Sequence, residues 1–380
     1  MRIAFLNWRD LTHPEGGGAE RYAQMTCAGL AARGHDVVLF CAKHEGGPHT
    51  ESLDGYRVVR TGGRVSVYHT SLLAMRRDER QRGSFDVVID TQNGLPFWSL
   101  IATSAPVVNL THHVHREQWP VVFGPLMAKV GWFIESRLAP RFYRGCSYVT
   151  VSHRSRDEMV ELGIKESDIS VIHNGTDHPL ALAAPKAADP TIVVLGRLVP
   201  HKRVELAIDV VARLATEFPN LQLRIVGDGW WHAAIEAHAR EAGISDRVHL
   251  LGYVDELTKH RELSGGWLAL APSAKEGWGL NVVEAASHGL PTIAHHGAGG
   301  LSESIIDGET GLLVRDEEEF AQATARLLRN AAERGRLGTA ARQHAQRFSW
   351  HDTVEAWDRL LHELATGDTG DVESSAVTSA

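Results

Sequence analysis

Along this chain a short apolar run, a polar or glycine-bearing loop and an amphipathic stretch follow one another repeatedly. Residues 3–8 are continuous enough in apolar side chains to be a buried strand, and residues 9–18 form a polar loop ending in Gly16-Gly17-Gly18. Residues 19–33 carry helical spacing with Gly34 as the stop, and the next strand is residues 36–41. Strands follow at 56–60, 85–90, 106–110, 147–152 and 169–172, with helices at 70–82 and, capped by Ser152, at 153–162. The pattern then restarts. Strands are predicted at 191–195, 221–226, 248–251, 267–271 and 291–294, with helices at 204–218, 231–242, 280–288, 320–347 and 352–364. Strands alternating with helices mean parallel sheets. The restart implies two α/β units: residues 1–184, and residues 185–350, with a last helix at 351–365. The Ala- and Pro-rich residues 180–190 read as the linker, and the small polar residues 366–380 as a disordered tail.

Nearly every predicted strand runs into a glycine-bearing loop, and in parallel sheets such loops gather at one edge to form a ligand crevice. The richest of them is GWLALAPSAKEGWGLNVVEAASHG, residues 266–289. A strand, a loop with Gly277 and Gly279, and a helix starting at Leu280 make a place for an anion, because the first helical amides have no partner within the helix. Glu276 lies in the loop. Glu284 lies about 6 Å along the helix axis from Leu280, leaning back toward its N-terminus. A carboxylate on each side of a phosphate position suits a sugar nucleotide, with one for the sugar hydroxyls and one for the ribose; a loop acid and a solvated helix acid is the plainer alternative. In the loop after 191–195, Arg197 and Lys202 offer a planar fork and a point charge, suited to different phosphate oxygens. Gly196, Gly227 and Tyr253-Val254 end strands on the same edge, where backbone groups can meet a base.

The chain has 380 residues, 43% hydrophobic and 23% charged, with a formal net charge of −8. That composition is of ordinary soluble type, and the negative balance argues against a nucleic-acid partner held by bulk charge. Cys27, Cys41 and Cys146 show no paired spacing, which points to a reducing, cytoplasmic setting. The opening MRIAFLNW reads as a first strand, and no apolar run approaches the roughly 20 residues of a membrane span.

The segment Glu276-x7-Glu284, placed after a strand and before Ala285-Ala286-x-x-Gly289-Leu290-Pro291-Thr292-Ile293, resembles the signature of the family 4 retaining glycosyltransferases, and the similarity runs to about residue 362. The resemblance implies the GT-B fold: two Rossmann-like, doubly wound domains facing a central cleft, with the C-terminal helix returning to the first. It implies that Arg197 and Lys202 hold the donor diphosphate, with no metal and no cofactor, and that the loop of Gly17 and Gly18 reaches the cleft. It places a histidine of Thr111-His112-His113-Val114-His115 near the donor sugar. His112 matches that position best, His113 stands where the family often has Asp, and the choice stays open. A metal on these histidines is not expected, since alternation separates His112 from His113 and His115.

The catalytic candidates are therefore Glu276, His112, His113, Arg197 and Lys202. The donor-binding set is Gly17, Gly18, Gly196, Arg197, Lys202, Gly227, Tyr253, Val254, Glu276, Gly279, Leu280, Asn281 and Glu284. The expected activity is transfer of a sugar from a nucleotide diphosphate to a hydroxyl acceptor (a sugar, a lipid-linked group or a small molecule) with retention. A GT-B sugar-nucleotide epimerase and a non-catalytic nucleotide-sugar-binding subunit are the alternatives. Residues 129–144 mix aromatic side chains with Lys129, Arg137, Arg141 and Arg144. They read as a helix covering the sheet, with peripheral contact at the inner face of a membrane as the other reading.

Overall fold

A computed structural model describes residues 1–177 and 185–367. The first sheet has eight strands: β1 (Arg2–Leu6), β2 (Asp36–Cys41), β3 (Thr50–Leu53), β4 (Tyr56–Arg60), β5 (Val87–Thr91), β6 (Val107–Leu110), β7 (Ser147–Thr150) and β8 (Ile169–Val171). Their order is β3-β4-β2-β1-β5-β6-β7-β8, parallel except for the antiparallel β3–β4 pair. The second sheet has six parallel strands: β9 (Thr191–Leu195), β10 (Gln222–Val226), β11 (Val248–Leu250), β12 (Leu268–Ala271), β13 (Thr292–His295) and β14 (Gly311–Val314). Their order, β11-β10-β9-β12-β13-β14, reverses direction between β9 and β12, the place where doubly wound sheets open a crevice. The first sheet reverses in the same way between β1 and β5. Both sheets are covered on both faces, so strands such as β5 and β12 are buried at every position.

The helices are α1 (Gly18–Ala32), α2 (Val67–Arg82), α3 (Trp119–Val122), α4 (Pro125–Phe133), α5 (Ala139–Phe142), α6 (His153–Glu161) and α7 (Val204–Leu214), then α8 (His232–Glu241), α9 (Glu256–Gly265), α10 (Leu280–Ser287), α11 (Leu301–Ser304), α12 (Glu317–Arg329), α13 (Ala331–Ala345) and α14 (Trp350–Thr366). The doubly wound GT-B architecture expected from the sequence is the one observed. Several elements differ. Strands β3 and β14 and helix α9 are short or mixed in polarity and escape the pattern. The single helix predicted over 320–347 is two, because Asn330 caps the second by accepting from Glu333 N at 3.0 Å. The break predicted at 348–350 lies earlier, at 346–349, since α13 ends at Ala345, Ser349 is the N-cap and Trp350 already belongs to α14. The helix read over residues 129–144 is a continuous helical stretch ending at Phe142, made of α4, a π-helical turn (Ile134–Leu138) and α5. Residues 180–184 of the predicted linker, and so the near side of the division at 184/185, lie outside the described set. So does the predicted tail, apart from Thr366, which ends α14, and Gly367.

Helix α14 packs on α1 in the first half. Trp357 is fully buried there beside Tyr22, and its indole donates to the Tyr22 hydroxyl at 2.6 Å. The two ends of the crossing meet: Thr176 N donates to Phe348 O at 3.0 Å, and the Thr353 hydroxyl donates to His173 O at 2.9 Å. Trp357→Ala removes a large buried ring and leaves the Tyr22 hydroxyl only its bond to Ile172 O at 3.3 Å, so unfolding in urea is expected to lose about 3–5 kcal/mol. A loss below about 1 kcal/mol, the range of surface changes, would show that α14 is not part of this core.

Candidate active site

The C-terminal edges of the two sheets face one another. Helix α10 begins there because Gly279, in the left-handed region at φ 91°, turns the chain out of its loop. Helix α1 begins on the opposite wall. A β-carbon on Gly18, its first residue, would meet Leu280 Cδ2 at 4.0 Å, so the two helix N-termini look at each other across the cleft. Glu20 closes a capping box by accepting from Gly17 N at 2.8 Å. Arg197 crosses between the walls: its Nη1 donates to Glu15 O at 3.3 Å, and its side chain lies over Gly17 so closely that a β-carbon there would sit 2.9 Å from Nε. A side chain at position 17 would have to displace the arginine of the other wall.

Lys202, in the turn Pro200–Lys202, is ion-paired with Glu276, which also accepts from Ser273 Oγ at 2.7 Å. Burial works to raise the Glu276 carboxyl, but the Lys202 ammonium and these hydrogen bonds outweigh it and hold it below the usual carboxylate range. Glu284 is held by Lys259 of α9 at 2.7 Å, and Lys259 also reaches Glu256 at 2.9 Å. Asn281 turns its side-chain amide to Leu195 O at 2.9 Å, tying α10 to the end of β9 rather than presenting it to the cleft. Gly196 N donates to Val226 O at 3.0 Å and Gly227 N to Gly252 O at 2.9 Å, which locks the neighbouring loops together. Val254 packs against the sheet there, while Tyr253 stands out in solvent.

The histidines separate. His112 is buried, its backbone carbonyl so close to Gly277 that a β-carbon on the glycine would fall 2.5 Å away. It therefore adjoins Glu276, and the Tyr22 ring packs edge-on against it at 5.2 Å. Its Nε2 is buried with no hydrogen-bond partner, an orphaned polar atom beside the cleft. Burial, with the charge of His115, pushes its pKa down to about 4. His113 instead meets Gln118 Oε1 at 3.1 Å and stacks on His115 at 4.1 Å. A carboxylate that the sequence does not place near them, Glu135, bonds both His115 Nδ1 (3.0 Å) and Trp119 Nε1 (2.7 Å). Among the described residues, three groups bring histidine and carboxylate ligand atoms within 4.8 Å of one another, and none includes His112, His113 or His115.

Sequence reasoning missed Lys259, Lys275 and Glu303. Lys275 spans the cleft to Glu117 and Glu158, each at 3.0 Å. Glu303 of α11 caps α6 on the other wall, accepting from His153 N at 2.9 Å and Arg154 N at 2.6 Å. Only Glu256-x-x-Lys259 left a local trace, an ion pair at helical spacing.

Three histidines sit neutral: His112 and His288 are buried and His201 half-buried, and burial, aided by nearby charge, takes each down to about 4 from 6.5. Unfolded, each binds its proton near 6.5, so between there and about 4 the unfolded state holds more protons and stability falls with acid. Asp90, raised by burial, acts the other way but is a single group. Thermal melts at stepped pH are expected to show a falling melting temperature across that window; a flat profile would contradict it.

Residues 16–179 match the family model described as Glycosyltransferase Family 4, and residues 183–344 match Glycosyl transferases group 1. The MMP alpha-(1->4)-mannosyltransferase of Mycolicibacterium hassiacum is 29% identical, over 96% of this chain and 100% of that protein. A glycogen synthase of Mycobacterium tuberculosis is 27% identical over 97% and 96%. Among solved structures, a sucrose-phosphate synthase from Thermosynechococcus elongatus superposes with a TM-score of 0.83 at 22% identity, covering 97% of this chain and 100% of that one. With its two halves matched one after the other by these two models, and with this fold, the chain belongs to the GT-B glycosyltransferases.

Proposed function

We propose that the protein transfers a sugar from a nucleoside-diphosphate donor to a hydroxyl acceptor, with retention at the anomeric carbon. The observation that carries this reading is the meeting of the α1 and α10 N-termini with Arg197 and the Lys202–Glu276 pair in one cleft. Two sets of unpaired amides and two cations match a diphosphate. On donor entry, Lys202 turns to a phosphate oxygen and Glu276 accepts from the sugar hydroxyls. Lys259 holds Glu284 by Oε1, and the proposal gives its other oxygen to the ribose. The orphaned Nε2 of neutral His112 bonds the donor sugar. The bond from C1 to the diphosphate breaks and the nucleoside diphosphate leaves with the electron pair, stabilised by aimed positive charge. The acceptor oxygen bonds C1 on the same face and its proton passes to the departing phosphate oxygen. Retention rests on the resemblance of Glu276-x7-Glu284 to the family 4 signature. The mycobacterial relatives are named as enzymes that build glycosidic linkages, which supports the reaction type. The free state of Cys27, Cys41 and Cys146 supports a reducing, cytoplasmic compartment.

A panel of UDP-, GDP-, ADP- and dTDP-sugars tests the proposal. Nucleoside diphosphate release with the sugar found on an acceptor supports it. Epimerised sugar without an acceptor points to an epimerase, and binding without turnover to a binding subunit. With the active donor, Glu276→Gln is expected to lower kcat roughly a hundredfold, and Glu284→Gln to raise donor KM about tenfold at little cost in kcat. The reverse split would exchange the two roles. Arg197→Ala and Lys202→Ala are each expected to weaken nucleoside diphosphate binding roughly tenfold by calorimetry while the fold persists. Unchanged affinity in both would remove the diphosphate from this cleft.

A further inference from the structure

We propose that the outer face of α4 and the turn after it seats this protein on an anionic lipid surface. Helix α4 is inside out. Its inward residues are Ala128 and Gly131, and Gly131 lies flat against the Trp119 ring, where a β-carbon would meet ring carbons at 2.3 Å. Its large apolar residues face solvent: Leu126 is 75% exposed, Met127 58% and Phe133 60%. Leu126, Val130 and Phe133 fall at helical spacing and form one stripe, and Phe123 and Leu138 extend it at either end. The other exposed large apolar residues among those described are scattered along the sequence, as on any protein surface. A contiguous stripe marks a docking site.

The charge around the stripe selects the occupant. Lys129, Arg137, Arg141 and Arg144 are all exposed. Between Trp119 and Cys146 the sole acid is Glu135, and it is buried, bonded to His115 and Trp119. In a chain of net charge −8, this segment thus carries no exposed acid of its own. Apolar side chains amid cations match the boundary between acyl chains and anionic headgroups, where each side chain reaches the medium it prefers. No helix among the described residues is long and apolar enough to cross a membrane, so the contact lies in the plane of the surface. Glu135 links this face, through His115, to the loop that carries His112. On the glycosyltransferase reading, an acceptor hydroxyl borne by a lipid would thus be met close to the donor; binding to the surface does not depend on that reading.

The test uses the full chain with sucrose-loaded vesicles, either pure phosphatidylcholine or phosphatidylcholine mixed with phosphatidylglycerol. Sedimentation is expected to favour the mixed vesicles strongly at low salt, and much less at high salt. Removing cations among Lys129, Arg137, Arg141 and Arg144 is expected to cost about fivefold in partition for each. The double variant Leu126→Glu, Phe133→Glu is expected to cost at least about tenfold. Both residues are exposed and outside the cleft, so nucleoside diphosphate affinity and melting temperature should stay unchanged and report an intact fold. Equal partition to both vesicle types, or variants that bind like the parent, would overturn the proposal. So would a concentration-dependent dimer that the double variant dissolves without any vesicle binding, since the stripe would then be covered by a second copy of the chain.

Discussion

A helix cannot satisfy the amides of its own first turn, and two helices here begin face to face. The structure around them follows from that constraint. Each N-terminus carries roughly half a positive charge. Yet Arg197 is laid between them, over Gly17, and Lys202 stands nearby beside Glu276. So much positive potential within one cleft is tolerable because carboxylates are interleaved with it, and because the site is shaped for an anion. The strand orders explain why the helices meet. Each sheet reverses its winding in the middle, which brings helix starts to one edge, and the two edges oppose each other.

Both carboxylates of the signature are held by lysines that come from elsewhere: Glu276 by the turn after β9, Glu284 by α9. Such pairs contribute little net stability, because desolvation offsets the attraction. Their effect is geometric. Each fixes one carboxylate oxygen, and Lys202 also holds the Glu276 carboxyl below the usual carboxylate range. His112 is positioned differently: Trp357 bonds Tyr22, Tyr22 lies edge-on to His112, Gly277 admits the His112 carbonyl, and Ser155 Oγ donates to that carbonyl at 3.2 Å. The last helix of the chain thus sets an atom at the cleft through two rings.

Strands such as β2, β9 and β12 were legible because burial on both faces forces nearly continuous apolar runs. The glycine loops were legible because few residues tolerate those turns. The sequence also placed Arg197, Lys202 and Glu276 in loops after strands and Glu284 in the helix that follows the last of them, and the structure brings those strand ends together. It did not show that Lys202 and Glu276 touch, or that Lys259, Lys275 and Glu303 matter, because these pairings join residues far apart in the chain and no local pattern encodes them. Nor did it show that Asn281 turns to Leu195, since side-chain direction depends on what β9 offers. The helix α4 misled for a related reason. Its spacing is ordinarily amphipathic, and only the Trp119 ring against Gly131 reveals which side faces in.

The return of α14 to the first half has a bearing on how such chains can be recombined. The first sheet's core is closed by residues that follow the entire second sheet, with Trp357 and Leu361 among its fully buried members. The second half is therefore an insertion, in the topological sense, within the structural unit of the first. A chimera that borrows another protein's donor half needs two junctions, one before β9 and one near Ser349, and must keep α14 with its native partner α1. A single crossover would join Tyr22 to a foreign last helix. The misfit would then surface at His112, which packs against Tyr22.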